Sequence, residues 1–91
     1  MPFRLVIHPR PARAIRRLGK DGTTRVGIAL RALEEDPFTA RPSADIKRLG
    51  AAGNGPVLYR LRISEFRAVY AVASRTVYVT DFFRRGRGYR M

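Results

Sequence analysis

The chain has 91 residues, no cysteine, and a formal net charge of +12 from 19 Lys and Arg against 7 Asp and Glu. This length suits one domain, 1–91, with a modest core. The lack of cysteine excludes disulfides, thiolate catalysis and cysteine-based zinc sites, and the one histidine, His8, excludes a two-histidine acid–base pair. So large an excess of basic residues predicts an anionic partner, either a nucleic acid or an acidic protein.

The N-terminal segment MPFRLVIH predicts a strand. Phe3, Leu5 and Ile7 occupy alternate positions, and Pro9 disfavours helix at His8, so the strand is expected to end there. We expect the ring of His8 to be exposed or hydrogen-bonded rather than catalytic. The segment is too short and too charged for a signal peptide, and no apolar run has the length of a membrane span. A cytoplasmic protein without a membrane partner is therefore expected.

Two amphipathic helices follow. The first is predicted from Pro11 to Leu18 and ends at Gly19. After a turn at residues 20–22, Thr23 or Thr24 is expected to cap a second helix that ends near Asp36. Its apolar residues have the spacing of a helix face that lies on a core: Val26, Ala29, Leu30 and Leu33.

Residues 37–56 are rich in Pro, Gly, Ala and Ser, which is typical of a long connection. Within it, Ile46 and Leu49 are expected to contact the core. The glycine spacings follow no predicted strand and open no predicted helix, so a phosphate-binding loop is not indicated. Nothing else in the sequence indicates a cofactor or a metal.

Residues 57–83 predict three consecutive antiparallel strands, 57–64, 66–73 and 76–83. In the first of them Tyr59, Leu61 and Ile63 fall on one face, and Arg60 and Arg62 on the other. Arg67 comes just after the first turn. Each arginine by itself has an alternative interpretation as a solvated residue on an exposed sheet face.

The chain ends in RRGRGYRM, a basic tail with one embedded tyrosine. Basic tails often bind nucleic acid without specificity. Tyr89 among arginines indicates a site for single-stranded nucleic acid, because an aromatic ring stacks on an unpaired base while guanidinium groups hold the neighbouring phosphates.

Two segments carry a family resemblance, LYRLRISEFRAVYAV at 58–72 and RGRGYR at 85–90. In these segments and in its predicted order of elements the chain resembles the RelE/ParE superfamily of toxin–antitoxin toxins. The resemblance implies an α+β fold of the microbial ribonuclease type, β-α-α-β-β-β. It has a mainly antiparallel four-stranded sheet, two N-terminal helices on one face and a basic C-terminal tail.

The resemblance also implies a function. RelE-like members cut mRNA in the ribosomal A site, and their functional positions match Arg60, Arg62, Arg67, Arg85 and Tyr89 here. The favoured hypothesis is thus a ribosome-dependent endoribonuclease that uses the ribose 2′-OH as nucleophile. Some nuclease members have lysine where Arg60 and Arg62 stand. Two alternatives remain open, a ParE-like inhibitor of DNA gyrase and an inactive basic RNA-binding relic.

The residue types bear on this chemistry. Arginine stabilises a crowded phosphorane but transfers protons poorly, because its pKa lies above about 12. Tyr89 is then the candidate for stacking on the substrate or deprotonating it. The resemblance further implies partners: mRNA, the ribosome, and an acidic RelB-like antitoxin through which the complex is expected to bind operator DNA.

Overall fold

The computed structural model describes residues 2–86. Its helices and strands are, in chain order, β1 (Arg4–Ile7), α1 (Pro9–Arg16), α2 (Gly19–Glu35), β2 (Asp45–Gly50), β3 (Leu58–Ile63), β4 (Phe66–Ala73) and β5 (Thr76–Arg84). The strands form one sheet in the order β1-β5-β4-β3-β2, in which only the β1–β5 pair is parallel. Neither α1 nor α2 is long and apolar enough to cross a bilayer. The α+β class and the mainly antiparallel sheet are confirmed.

The prediction of four strands was wrong, because the described part of the sheet has five. The extra strand, β2, lies inside the stretch 37–56 that was expected to be a connection, and it pairs antiparallel with β3. It is an edge strand, and Ile46 is its one buried residue. Its outer positions are charged, as is common at a sheet edge, so the apolar alternation that identifies a strand is missing.

The two helices lie almost end to end along the chain. α1 begins at Pro9, where proline suits the first helical position, and α2 begins at Gly19. The turn predicted at residues 20–22 is therefore helical. Gly19 has a φ of 84°, a backbone conformation that glycine adopts without steric cost, and it redirects the chain between the helices. Thr23 does not cap α2; its hydroxyl donates to the carbonyl of Ile15 at 3.0 Å and so satisfies the end of α1.

The C-terminal end of α2 is held by Arg41. This end carries acidic residues, which are unfavourable near the negative pole of a helix. The guanidinium of Arg41 donates to the carbonyl oxygens of Ala32, Asp36 and Thr39 at 2.8, 2.9 and 2.7 Å. A cation therefore binds carbonyl groups at the negative end of the helix, one of which, that of Ala32, also accepts from the backbone N–H of Asp36.

The core lies between the helices and one face of the sheet. α2 contributes Val26, Leu30 and Leu33, and the facing sheet residues include Leu61 and Tyr70. Ile46 joins this cluster as expected, whereas Leu49 is 43% exposed and does not. The sheet thus has one covered face and one that carries no helix in the described structure, called the open face below.

A β-bulge in β5 determines which residues reach the open face. Tyr70 pairs with Val79 and Val69 pairs with Asp81, so Thr80 is an extra residue with no partner in β4. Val79 and Phe82 both point toward the helices, although they are three positions apart. Beyond the bulge, Asp81 and Phe83 stand opposite the open-face residues Val69 and Arg67.

Candidate functional site

A small cleft on the open face brings together arginines from three elements. The cleft, called the central cleft, has a volume of about 230 Å³. It is lined by Leu49, Arg60, Arg67, Val69, Phe83, Arg85 and Gly86. Val69 is fully buried and lies between Arg60 and Asp81 in the cross-strand pairing, so it forms an apolar floor. Three of the five sequence-predicted site residues, Arg60, Arg67 and Arg85, therefore share one concave surface.

Arg60 is partly enclosed. Its side chain is 25% exposed, and its Nε–H is buried without a hydrogen-bond acceptor among the described residues. The nearest carboxylate is Asp45, at 3.6 Å from a terminal nitrogen of Arg60 and 4.0 Å from one of Arg62. An unsatisfied buried donor is costly unless something accepts its hydrogen bond.

Arg62 and Arg67 stand directly opposite each other on β3 and β4. Like charges in that position destabilise a sheet, so this pair is unfavourable for the fold alone. Burial, followed by the charges of Arg62, Arg60 and Arg85, lowers the pKa of Arg67, and Asp45 opposes the effect. Arginine starts from so high a pKa that Arg67 stays charged at neutral pH. Arg62 belongs to the same face but does not line the cleft.

The guanidinium of Arg67 is fixed by the turn that precedes its strand. It donates to the carbonyl oxygens of Ser64 and Phe66 at 3.1 and 2.9 Å. Ser64 has a φ of 55°, as the tight turn between β3 and β4 requires. A side chain held by two backbone groups keeps one position, which suits it to orienting an anion.

Adjacent arginines at the end of β5 have different surroundings. Arg84 forms an ion pair with Glu65, and its guanidinium lies 5.0 Å from the centre of the Phe66 ring. Arg85 donates its backbone N–H to the carbonyl of Glu65, and its side chain lines the central cleft. Arg84 thus stabilises the hairpin, while Arg85 contributes positive charge to the cleft.

Tyr89, the fifth predicted site residue, lies outside the described residues, and its role stays a prediction. The lining of the central cleft between residues 2 and 86 includes no histidine or carboxylate. Within that range, no three His, Asp or Glu side chains are grouped so that they could hold a metal ion. The described side chains therefore supply positive charge and shape, and no group that exchanges protons near neutral pH.

Sequence reasoning missed several residues around the site. Leu49 and Phe83 line the cleft, and Asp45 is the acidic neighbour of the β3 arginines. Leu49 and Asp45 belong to β2, the strand that was not predicted. Phe83 was placed on a strand, but its face depends on the bulge at Thr80. Asp45 was placed in the connection before the first of the three strands, and nothing local indicated that it would pair with an arginine of that strand.

What this geometry can do is bind a phosphate. Fixed guanidinium groups around a pocket with an apolar floor form charge-assisted hydrogen bonds to a phosphate oxygen and stabilise added negative charge. Arg60 and Arg67 belong to the paired strands β3 and β4, and Arg85 follows β5 directly with its backbone N–H bonded to Glu65, so the backbone of all three is held in place. Ordinary surface arginines lack that constraint.

No family model matches the sequence, and no curated protein matches it either. The structure is similar to a crystal structure of the archaeal RelE–RelB complex from Pyrococcus horikoshii OT3. The TM-score is 0.79 at 28% sequence identity, and the match covers 97% of this chain and 100% of that chain. The order of elements and this whole-chain similarity show a RelE-like fold, and they support the interpretation of the chain as a RelE-like toxin.

Proposed function

We propose that this RelE-like toxin is a ribosome-dependent endoribonuclease that cuts mRNA at the central cleft. The observation that carries the proposal is the convergence of Arg60, Arg67 and Arg85 on one pocket of the open face. Such a cluster suits phosphoryl chemistry on a nucleic acid. It offers no comparable reason for binding a protein such as gyrase.

In the proposed reaction, the ribose 2′-oxygen attacks the adjacent phosphorus and the bond from phosphorus to the 5′-oxygen breaks. The products are a 2′,3′-cyclic phosphate and a free 5′-hydroxyl. The 2′-OH loses a proton and the departing 5′-oxygen gains one. Arg67 and Arg85 clamp the scissile phosphate, Arg60 stabilises the charge that develops on its oxygens, and Arg62 adds positive charge on the same face from outside the cleft.

Proton transfer is the step that the described arginines perform poorly. We assign it to Tyr89, whose ordinary pKa near 10 would be lowered by neighbouring guanidinium groups. A centre with so little acid–base capacity needs its substrate already aligned for attack. The ribosome supplies that alignment by holding the mRNA in the A site, which makes cleavage an effectively intramolecular step.

The proposal includes an inhibitor. The similar archaeal RelE was crystallised with RelB, and a charge of +12 favours an acidic partner. We propose a RelB-like antitoxin that covers the open face and so excludes RNA from the central cleft.

The test is cleavage by the purified protein on ribosomes stalled with a defined codon in the A site, with the new 5′ ends mapped by primer extension. Wild type should cut within that codon, and naked mRNA should be cut far more slowly. Arg67→Gln should lower the rate by about 100-fold or more, as for other lost donors to a developing anion. Tyr89→Phe should lower it as well.

Arg31→Gln is the matched control, because Arg31 is an exposed arginine of α2 and lines no described cleft. This variant loses the same charge as Arg67→Gln, and its cleavage rate should stay within about twofold of the wild-type rate. If wild-type protein left the mRNA intact and trapped gyrase on DNA, the protein would be a gyrase inhibitor and the proposal would be wrong. Equal rates for Arg67→Gln and Arg31→Gln would remove the central cleft from the mechanism.

A further inference from the structure

A second and larger cleft lies between α1 and the end of β5. Its volume is about 650 Å³. It is lined by Arg10, Pro11, Arg13, Ala14, Arg17, Thr80, Asp81, Phe82 and Phe83. The proposed cleavage reaction uses none of its arginines. We call it the helix cleft.

The three arginines of the helix cleft form a row on one side of α1. Positions 10, 13 and 17 share a helix face, and the row extends about 10 Å at 1.5 Å per residue. Among the described residues, none of the three has a carboxylate within 4.0 Å. Three cations on one helix face repel one another, and an anion against the row would remove that repulsion, although positive charge at Arg13 and Arg17 also suits the C-terminal end of α1.

The helix cleft adjoins the central cleft. Phe83 lines both of them, with Arg67 and Arg85 on one side and the α1 arginines on the other. The bulge at Thr80 creates this arrangement, since it turns Phe83 toward the open face. An extended polyanion in the central cleft therefore reaches the α1 arginines by passing over Phe83, the residue that both clefts share.

The polar groups of the helix cleft favour RNA over an acidic peptide. Asp81 accepts a hydrogen bond from the backbone N–H of Phe82 at 2.8 Å, and it is the one carboxylate that lines this cleft in the described structure. It would repel a carboxylate or a phosphate placed against it, so the part of the ligand next to it must be a neutral hydrogen-bond donor. A ribose 2′-OH can donate a hydrogen bond to it, while the phosphates on either side contact the arginines.

We propose that the helix cleft binds single-stranded RNA, holding the phosphates of nucleotides next to the one that occupies the central cleft. This inference rests on the proposed function, because it assigns a second part of the same substrate. RNA that fills only the central cleft does not contact Arg13 or Arg17. Longer RNA does.

The test measures binding of fluorescein-labelled single-stranded RNAs of 3 and 12 nucleotides to the full chain by fluorescence anisotropy, at several salt concentrations. Arg13→Gln with Arg17→Gln should weaken binding of the longer RNA by about tenfold near 0.1 M salt. The slope of log affinity against log salt should fall by about 1.4, since each lost phosphate contact removes about 0.7. Binding of the 3-nucleotide RNA should not change.

Arg25→Gln with Arg31→Gln is the control, because both residues are exposed on α2 and line neither cleft. It removes the same charge and should weaken binding of the longer RNA by less than twofold. Arg13→Lys with Arg17→Lys keeps the charge and should bind nearly as wild type, which separates lost contacts from a damaged helix. Thermal unfolding of each variant confirms that it is folded.

Equal losses in the two Gln pairs, equal losses for the two RNA lengths, or no loss at all would each overturn the helix cleft as an RNA site. In all three cases wild-type RNA binding would stand, and the proposed function would be unaffected. If wild type bound neither RNA, this inference would fail, whereas the proposed function, in which the ribosome presents the mRNA, would still be decided by the cleavage assay on stalled ribosomes.

Discussion

At the scale of single residues, the two faces of the sheet differ in whether their buried polar groups have hydrogen-bond partners. Tyr70 is fully buried on the helix-covered face, and its hydroxyl donates to the carbonyl of Pro37 at 2.7 Å. On the open face, Arg60 has a buried N–H with no acceptor among residues 2–86, and Arg62 stands directly opposite Arg67. Satisfied groups favour the fold, whereas the unsatisfied ones are unfavourable for it and mark the place where a ligand would compensate.

Tyr70→Phe tests the buried hydrogen bond from the Tyr70 hydroxyl to the Pro37 carbonyl. The substitution keeps the ring and leaves the Pro37 carbonyl without a donor in a buried position, which costs about 1–3 kcal/mol. We expect the free energy of unfolding, measured in urea, to fall by that amount. Tyr78→Phe is a suitable control, because Tyr78 is only half-buried on β5. A loss below 0.3 kcal/mol in Tyr70→Phe would mean that water replaces the lost donor.

The pH dependence of the same variant gives a second measurement. Burial raises the pKa of Tyr70 above its ordinary value of about 10. The unfolded chain therefore loses this proton first as the pH rises, so the stabilisation is complete below about pH 10 and declines above it. Phenylalanine has no proton to lose. The stability difference between wild type and Tyr70→Phe should narrow above about pH 10, and a constant difference would contradict the assignment.

At the scale of elements, the junction of α1 and α2 is the tightest part of the helical layer. Gly19 redirects the chain, and Gly22 lies one turn later against Leu18. A Cβ at Gly22 would lie 2.6 Å from the Cβ of Leu18, closer than two carbon atoms can approach. At Gly27, also in α2, an added Cβ would meet no atom within 4 Å.

The two glycines therefore predict opposite results for the same substitution. Gly27→Ala should raise the free energy of unfolding by about 0.5–1 kcal/mol, because alanine favours the helix. Gly22→Ala gains the same preference but forces the backbone at Leu18, the N-cap of α2, to shift, and overpacking of this kind costs about 1–3 kcal/mol. Thermal unfolding followed by circular dichroism compares the two. If Gly22→Ala were as stable as Gly27→Ala, the close approach at Leu18 would not be a constraint.

At the scale of the whole molecule, the charge is large for the size. A net charge of +12 is spread over a body of 36 × 32 × 25 Å. The Debye length is about 30 Å at 0.01 M salt and about 10 Å at 0.1 M, so at low salt most of the cations repel one another across the protein. Both proposed RNA sites lie where part of this charge is concentrated.

Salt should therefore stabilise the free protein. Raising NaCl from 10 to 150 mM screens repulsion that is stronger in the compact state than in the unfolded chain. A gain of about 1 kcal/mol would raise the Tm by roughly 4–8 °C for a protein of this length. NaF at the same concentrations should have the same effect if screening is the cause. A Tm that stays constant or falls with salt would show that self-repulsion does not limit stability.

The sequence by itself determined the parts that depend on local periodicity. Alternation in β3 places Arg60 and Arg62 on one face of the strand and the core residues Leu61 and Ile63 on the other. The spacing of Val26, Leu30 and Leu33 gives α2 its core face. These patterns are local because successive side chains of a strand point to opposite faces and a helix repeats every 3.6 residues. The arginine-bearing face was therefore predictable.

Only the tertiary structure decided how that face becomes a cleft. β2 has one buried residue, and its strand conformation depends on pairing with β3, so its own residues carry little signal. Strict alternation after Val79 would have put Phe83 and Arg85 on the helix-covered face. The bulge at Thr80 moves both residues to the open face. A bulge depends on how two strands pair, and the residues of one strand do not specify that pairing.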